Sequence, residues 1–178
     1  FALKPAARPL LLRRLLVLTA SFATLTGMGC SSTVHTDRIT VAAAGKINSL
    51  DPAQASTVST LQVLSALGDP LYRLTSQGEL EPQLAADLPQ VSPDGLTISI
   101  PLRQGVHFHD GTPFNAEAMA FSVRRFLRIG SLSYVVGGRI AAVEAASSHQ
   151  FVLHLTRPST SLVGLLTSVN LTPVSPTA

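Results

Sequence analysis

Asp94-Gly95-Leu96-Thr97-Ile98-Ser99-Ile100-Pro101-Leu102-Arg103-Gln104-Gly105-Val106-His107-Phe108-His109-Asp110-Gly111-Thr112-Pro113-Phe114-Asn115-Ala116-Glu117-Ala118-Met119-Ala120-Phe121-Ser122-Val123 is the stretch that decides the fold. Its hydrophobic period changes from two to about 3.6 across a turn. Ser92-Pro93-Asp94-Gly95 opens it with Pro and Gly at favoured turn positions. Leu96, Ile98, Ile100 and Leu102 then alternate with Thr97, Ser99, Pro101 and Arg103, the pattern of a half-buried strand. Pro101 has no N–H to give a ladder, so an edge position is expected. Asp110-Gly111 turns the chain again. Asn115 is placed to cap a helix running to about Leu127. Its apolar stripe is Met119, Ala120, Val123, Phe126 and Leu127. Phe114 before the cap is expected to pack on Met119 as a hydrophobic staple. Arg124, Arg125 and Arg128 fall near the helix C-terminus, where the dipole favours cations.

Outward from this stretch the reading is coarser. Ile39 to Ala44 is apolar and partly β-branched, which predicts a buried first strand, and Lys46 to Pro52 predicts a loop. Val58 to Leu67 predicts a short helix with Leu61, Leu64 and either Leu67 or Ser65 on one face, stopped by Gly68-Asp69-Pro70. Ile140–Ala145 and Phe151–Thr156 predict two strands around a Ser147-Ser148-His149 turn, with Phe151, Leu153 and Leu155 sharing a face. A last helix is expected around Ser161 to Val169, presenting Leu162, Leu165, Leu166 and Val169. Mixed strands and helices imply an α/β or α+β class.

The first thirty residues have a different character. Lys4, Arg8, Arg13 and Arg14 precede an uncharged run from Leu15 to Leu25, and Thr26-Gly27-Met28-Gly29-Cys30 follows. A run of this length is short for a membrane span, which needs about 20 residues, and suits a secretory signal. Cys30 is the only cysteine, so no disulfide forms within the chain. A lone Cys after a small residue, followed by Ser31-Ser32, resembles a bacterial lipobox, although Gly27 stands where a Leu is usual. That resemblance implies a signal peptide over residues 1–29, a diacylated Cys30 as membrane anchor and a polar tether to residue 38. An ordinary signal peptide with an incidental Cys, or an uncleaved anchor, are the alternatives. Phe rather than Met stands first, so the chain is expected not to begin at its natural start.

Charge and motifs narrow the function. The formal charge is +3, but the first 29 residues hold four of the thirteen basic residues and none of the ten acidic ones. The remainder therefore carries nine against ten, with no basic stripe for a phosphate backbone, which argues against nucleic-acid binding. The sequence has no G-x-S-x-G, no phosphate loop and no H-E-x-x-H, so no enzyme chemistry is read from it. Asp110 and Glu117 read as a turn residue and a first-turn helix acid. His107 and His109 lie two apart and would share a side of a strand, but two imidazoles alone do not make a metal site. No cofactor is implied.

The ordered pattern D-G, alternating strand, L-R-x-G-V-x-F-H-D-G, F-x-A-E and helix, from Asp94 to Val123, resembles the signature region of the family 5 extracellular solute-binding proteins. Ser49-Leu50-Asp51-Pro52, Pro70-Leu71-Tyr72-Arg73-Leu74, Gly78-Glu79-Leu80-Glu81-Pro82 and Val143-Glu144-Ala145 fall in that family's order. Gly68-Asp69-Pro70, Leu88-Pro89 after Asp87, and Ala118 depart from its pattern and mark a divergent member. The resemblance implies a periplasmic-binding-protein-like type II fold, of which residues 39–178 would supply the N-terminal portion only. That portion is the first strand of lobe I plus a small inserted domain, without the C-terminal lobe. It implies capture of oligopeptides or similar solutes outside the cytoplasmic membrane and delivery to ABC permease subunits. A truncated remnant, or a surface lipoprotein with a structural or interaction role, is the competing expectation. The family lines its cleft just after the L-D-P motif, an offset that falls on Ser56, Thr57 and Val58. The residues themselves read more simply as a polar cap before the helix at Leu61.

Overall fold

The computed structural model of the protein describes residues 40–136 and 138–177. The expected signal peptide, Cys30 and the tether lie outside the described residues.

The deciding stretch folds as its period requires. Gly95 takes φ +70° to close the Ser92–Gly95 turn, and a Cβ there would meet Pro158 at 3.0 Å. The Asp94 carboxylate accepts from the Leu96 N–H at 3.0 Å. Strand β4, Thr97–Pro101, follows and buries Ile98 and Ile100 while its alternate residues stay half-exposed. Five further strands are described: β1 Tyr72–Leu74, β2 Leu80–Pro82, β3 Gln90–Val91, β5 Ile140–Ser147 and β6 Gln150–Leu155. β1 and β2 form a two-stranded antiparallel sheet. The other four make an antiparallel sheet in the order β3-β4-β6-β5.

Register sets the core. Ile98 faces Leu153 and Ile100 faces Phe151 across β4 and β6, while Val143 and Ala145 continue the rows on β5. Phe151, Leu153 and Leu155 are buried together as expected. Val152 is buried as well, on the opposite face between Ser99 and Glu144. That face is otherwise polar, with His154 Nε2 2.7 Å from Glu144 Oε2.

Three α-helices are described, α1 Val58–Leu64, α2 Ala116–Ile129 and α3 Ser161–Leu165, of which α2 packs on β5 and β6. The side chain of Asn115 caps α2 by accepting from Ala118 N–H at 2.9 Å. Met119, Ala120, Val123 and Phe126 line its buried face, and Phe114 joins them in the core. Arg128 lies in its last turn.

Several expectations need correction. Pro101 is not on an edge strand, because β4 lies between β3 and β6. Its C=O accepts from Ala86 N–H at 2.8 Å, and its nitrogen points the same way, past the end of the two-residue β3. The missing N–H therefore costs the β6 ladder nothing. Residues 40–44 form no strand and are exposed, with Val41 at 84%. A strand exists only through a partner's ladder, and no described strand pairs with this run. Helix α1 stops at Leu64, three residues early, and Leu67 is exposed rather than packed. The expected last helix divides into α3 and a 3-10 turn at Val169–Leu171. Among the described residues no helix is long and apolar enough to cross a membrane.

Candidate functional site

The segment from Lys46 to Ser59 buries Ala53 and Ala55 and is otherwise fastened by polar contacts. Asp51 begins it. Its carboxylate accepts from Ala53 N–H at 3.1 Å and so caps the 3-10 turn Pro52–Gln54. The same carboxylate meets Arg125 of α2 head-on, with Nη1 at 2.7 Å from Oδ1 and Nη2 at 2.6 Å from Oδ2. This two-point geometry matches the guanidinium fork to the carboxylate. Both side chains are about three-quarters buried, at 25% and 21% exposure. The Arg125 hydrogen bond is the largest influence holding the Asp51 carboxyl below its ordinary range, against the opposing pull of burial. Arg125 is thus an ion-pair partner across 74 residues, not merely a cation at a helix end. Arg124 instead donates to Val143 O at 3.0 Å.

Asn170, buried in the last 3-10 turn, closes the segment from the other side. Its Nδ2 donates to Pro52 O and Ala55 O, both at 2.8 Å. Asn48 adds a local brace. Its Nδ2 donates to Gln54 O at 3.0 Å, and Thr60 Oγ1 donates to its Oδ1 at 2.8 Å.

Ser56, Thr57 and Val58 emerge directly after this braced turn. Thr57 is the N-cap of α1, accepting from Thr60 N–H at 3.3 Å, with its hydroxyl 3.0 Å from Lys46 O. Ser56 is exposed, and its N–H points to Asn48 Oδ1 at 3.5 Å. Val58 is 72% exposed, an apolar side chain standing in solvent at the first turn of a helix. The structure therefore brings the three together on one short stretch, with Thr57 turned to capping and its two neighbours outward.

Two clefts, of about 330 and 300 Å³, lie on either side of Gly68, Phe108 and Pro173. Neither is lined by Ser56, Thr57 or Val58. His109 borders both, whereas His107 borders one and has Nδ1 3.2 Å from Gly105 O. Thr172 borders both too, and its buried Oγ1 has no hydrogen-bond partner among the described residues. The Asp110-Gly111 turn fastens the final segment. Asp110 accepts from Thr112 N–H at 2.9 Å, Thr112 Oγ1 at 2.6 Å and Thr177 Oγ1 at 2.9 Å. Ser175 lies 3.0 Å from the Thr112 hydroxyl. The hydroxyls of Ser175 and Thr112, together with the Thr112 N–H, hold the Asp110 carboxyl well below the usual carboxylate range.

The long-range staples are what sequence reasoning missed. Asp51 was visible inside the Leu-Asp-Pro motif, and Arg125 was visible on α2. Nothing local joined them, and Asn170 carried no signal at all.

Residues 79–177 match the family described as bacterial extracellular solute-binding proteins, family 5 Middle. The chain is 30% identical over 134 residues to a probable peptide ABC transporter periplasmic-binding protein, y4tO, of Sinorhizobium fredii, covering 75% of this chain and 25% of that one. It is 28% identical over 142 residues to the glutathione-binding protein GsiB of Escherichia coli K12, covering 79% and 28%. Among solved structures, Haemophilus influenzae OppA in complex with the peptide RPPGFSPFR is similar at a TM-score of 0.66 and 26% identity, covering 72% of this chain and 29% of that one. The chain spans between a quarter and three-tenths of the length of these relatives.

Proposed function

Because the chain belongs to the bacterial extracellular solute-binding proteins of family 5, we infer that it serves as part of the substrate-binding component of an ABC importer, capturing oligopeptides or glutathione-like solutes outside the cytoplasmic membrane. The match over residues 79–177 carries this reading, and it takes in β4, α2, β5 and β6. GsiB is named for glutathione and the Haemophilus influenzae OppA structure holds a peptide, and both ligands offer peptide groups. An extended peptide is held largely through its backbone hydrogen bonds, which lets one cleft accept varied side chains. Closure around the solute and release to a permease complete the cycle, with ATP hydrolysed by other subunits. In this reading the protein is not an enzyme, and solute contacts include Ser56, Thr57 and Val58. Diacylation of Cys30 tethers it to the membrane face, at about 0.8 kcal/mol per buried methylene.

Isothermal titration calorimetry tests the reading on the protein expressed from its complete reading frame. Reduced glutathione and a pool of short peptides are the probes. Saturable heat with either supports solute capture, and no heat with both removes it. The anchor has a separate test: radiolabelled palmitate incorporates in cells and is lost in Cys30→Ser.

A further inference from the structure

The turn that precedes Ser56 is fastened far more heavily than its length requires. Every carbonyl from Pro52 to Ala55 has a partner. Pro52 O accepts from Ala55 N–H at 3.2 Å and from Asn170 Nδ2. Ala53 O accepts from Ser131 N–H at 3.0 Å. Gln54 O accepts from Asn48 Nδ2 and from Ser131 Oγ at 3.2 Å. Ala55 O accepts from Asn170 Nδ2. Asp51, at the start of the turn, is gripped by Arg125. Ala53 and Ala55 are themselves buried, at 4% and 0% exposure.

A three-residue 3-10 turn with a capping Asp needs only local bonds to form. The remaining fastenings come from α2, from Ser131 and from Asn170, and they converge on the residues just before Ser56. Past Ala55 the fastenings from α2, Ser131 and Asn170 stop: Ser56 N–H keeps only a 3.5 Å contact to Asn48 Oδ1, Thr57 caps α1 and meets Lys46 O, and the Ser56 and Val58 side chains are exposed. A rigid stem followed at once by a projecting, solvent-facing pair is the geometry of a preorganised contact.

We propose that Arg125 and Asn170 are positioning residues: they lock the Pro52–Ala55 turn from two distant parts of the chain and so fix where Ser56 and Val58 stand for the solute. The proposal rests on the solute-contact reading of Ser56–Val58 for its functional meaning, but the locking is measurable without any solute.

Amide hydrogen exchange on the protein reads the locking. In Arg125→Ala and in Asn170→Ala, protection at the Gln54, Ala55, Thr60 and Leu61 amides is expected to fall by about tenfold more than at β4 and β6 amides. Arg125→Lys keeps the charge but not the two-point fork, and should recover part of the loss. Ser131→Ala, an exposed change that removes one bond to Gln54 O, gives a smaller effect at the same amides and secures the test should a stronger variant fail to fold. Ile98→Val, a core change in β4, lowers protection everywhere alike. Equal loss at all amides in the Arg125 and Asn170 variants, or none at residues 54–61, would overturn the proposal. Val58→Ala is titrated in parallel with reduced glutathione and trialanine. A localised exchange effect with solute affinity unchanged in Val58→Ala would overturn the solute-contact reading while leaving the locking in place.

Discussion

The β4–β6 sheet with α2, and the braced stem from Lys46 to Ala55, are held by opposite means. In the sheet, Ile98, Ile100, Phe151 and Leu153 stand in register and Met119 and Val123 join them in one apolar core. Their stabilisation is non-directional and scales with buried apolar area. In the stem, directional bonds from Arg125, Ser131 and Asn170 do the work. Truncating a core side chain leaves a void that neighbours partly fill. Truncating a staple removes a donor from a partly buried acceptor, which leaves the Asp51 carboxylate without its counter-charge or Ala55 O without its donor. The first loss is felt by the whole unit and the second by the segment that was fastened.

Breaking the sheet should have the largest effect. Phe151 is fully buried near the start of β6, opposite Ile100, and Phe151→Ala should lower unfolding free energy by about 3–5 kcal/mol, read from urea titration. Breaking the stem comes next. Arg125→Ala strips Asp51 of its two-point partner, and a loss of about 2 kcal/mol is expected in the same titration. A cap lies between the two modes, since it is polar but local. Asn115→Ala should cost about 1 kcal/mol, and Asn115→Asp should restore most of it.

Acid sharpens the comparison further. The Asp51 carboxyl is held below its ordinary value of 3.8 in the folded state. Its contribution is therefore present above that value and is lost as pH falls through the depressed folded value. The urea midpoint should drop on moving from about pH 6 to about pH 3, and drop less in Arg125→Ala. Asp94 and Asp110, also held low, are unchanged in both proteins, so the difference in slope isolates Asp51. The smallest effect belongs to the surface pair Arg73–Glu81, at 2.8 Å with both side chains well exposed. Arg73→Ala should leave the thermal midpoint where it is, because water and salt screen such a pair.

The same contrast explains what the sequence disclosed. Burial repeats with the period of the backbone, so β4, α2 and β6 could be read from Ile98, Met119, Phe151 and their spaced neighbours, and the Asn115 cap from its place before them. The Asp94–Val123 pattern likewise carried the family, which residues 79–177 bear out. Short elements with mixed burial were harder. β1 and β2 are three residues each, and β3 is two, too brief for any period to show. Residues 40–44 form no strand although one was expected there, because apolar composition says nothing about whether a partner ladder is present. Leu67 failed because α1 ends before it. Of the candidate site, Ser56, Thr57 and Val58 are candidates only by their offset from Leu50-Asp51-Pro52, whereas a polar cap on α1, which Thr57 supplies, was legible there. The Arg125 and Asn170 staples were not, since they join residues 74 and 115–118 positions apart.

The most direct test of the account is a residue-resolved titration of the nitrogen-15-labelled protein with reduced glutathione and with trialanine. The account predicts saturable shift changes at Ser56, Thr57 and Val58, with the β4 and β6 amides unmoved. Saturable changes confined to the sheet, or none at residues 56–58 while the solute binds elsewhere, would contradict it.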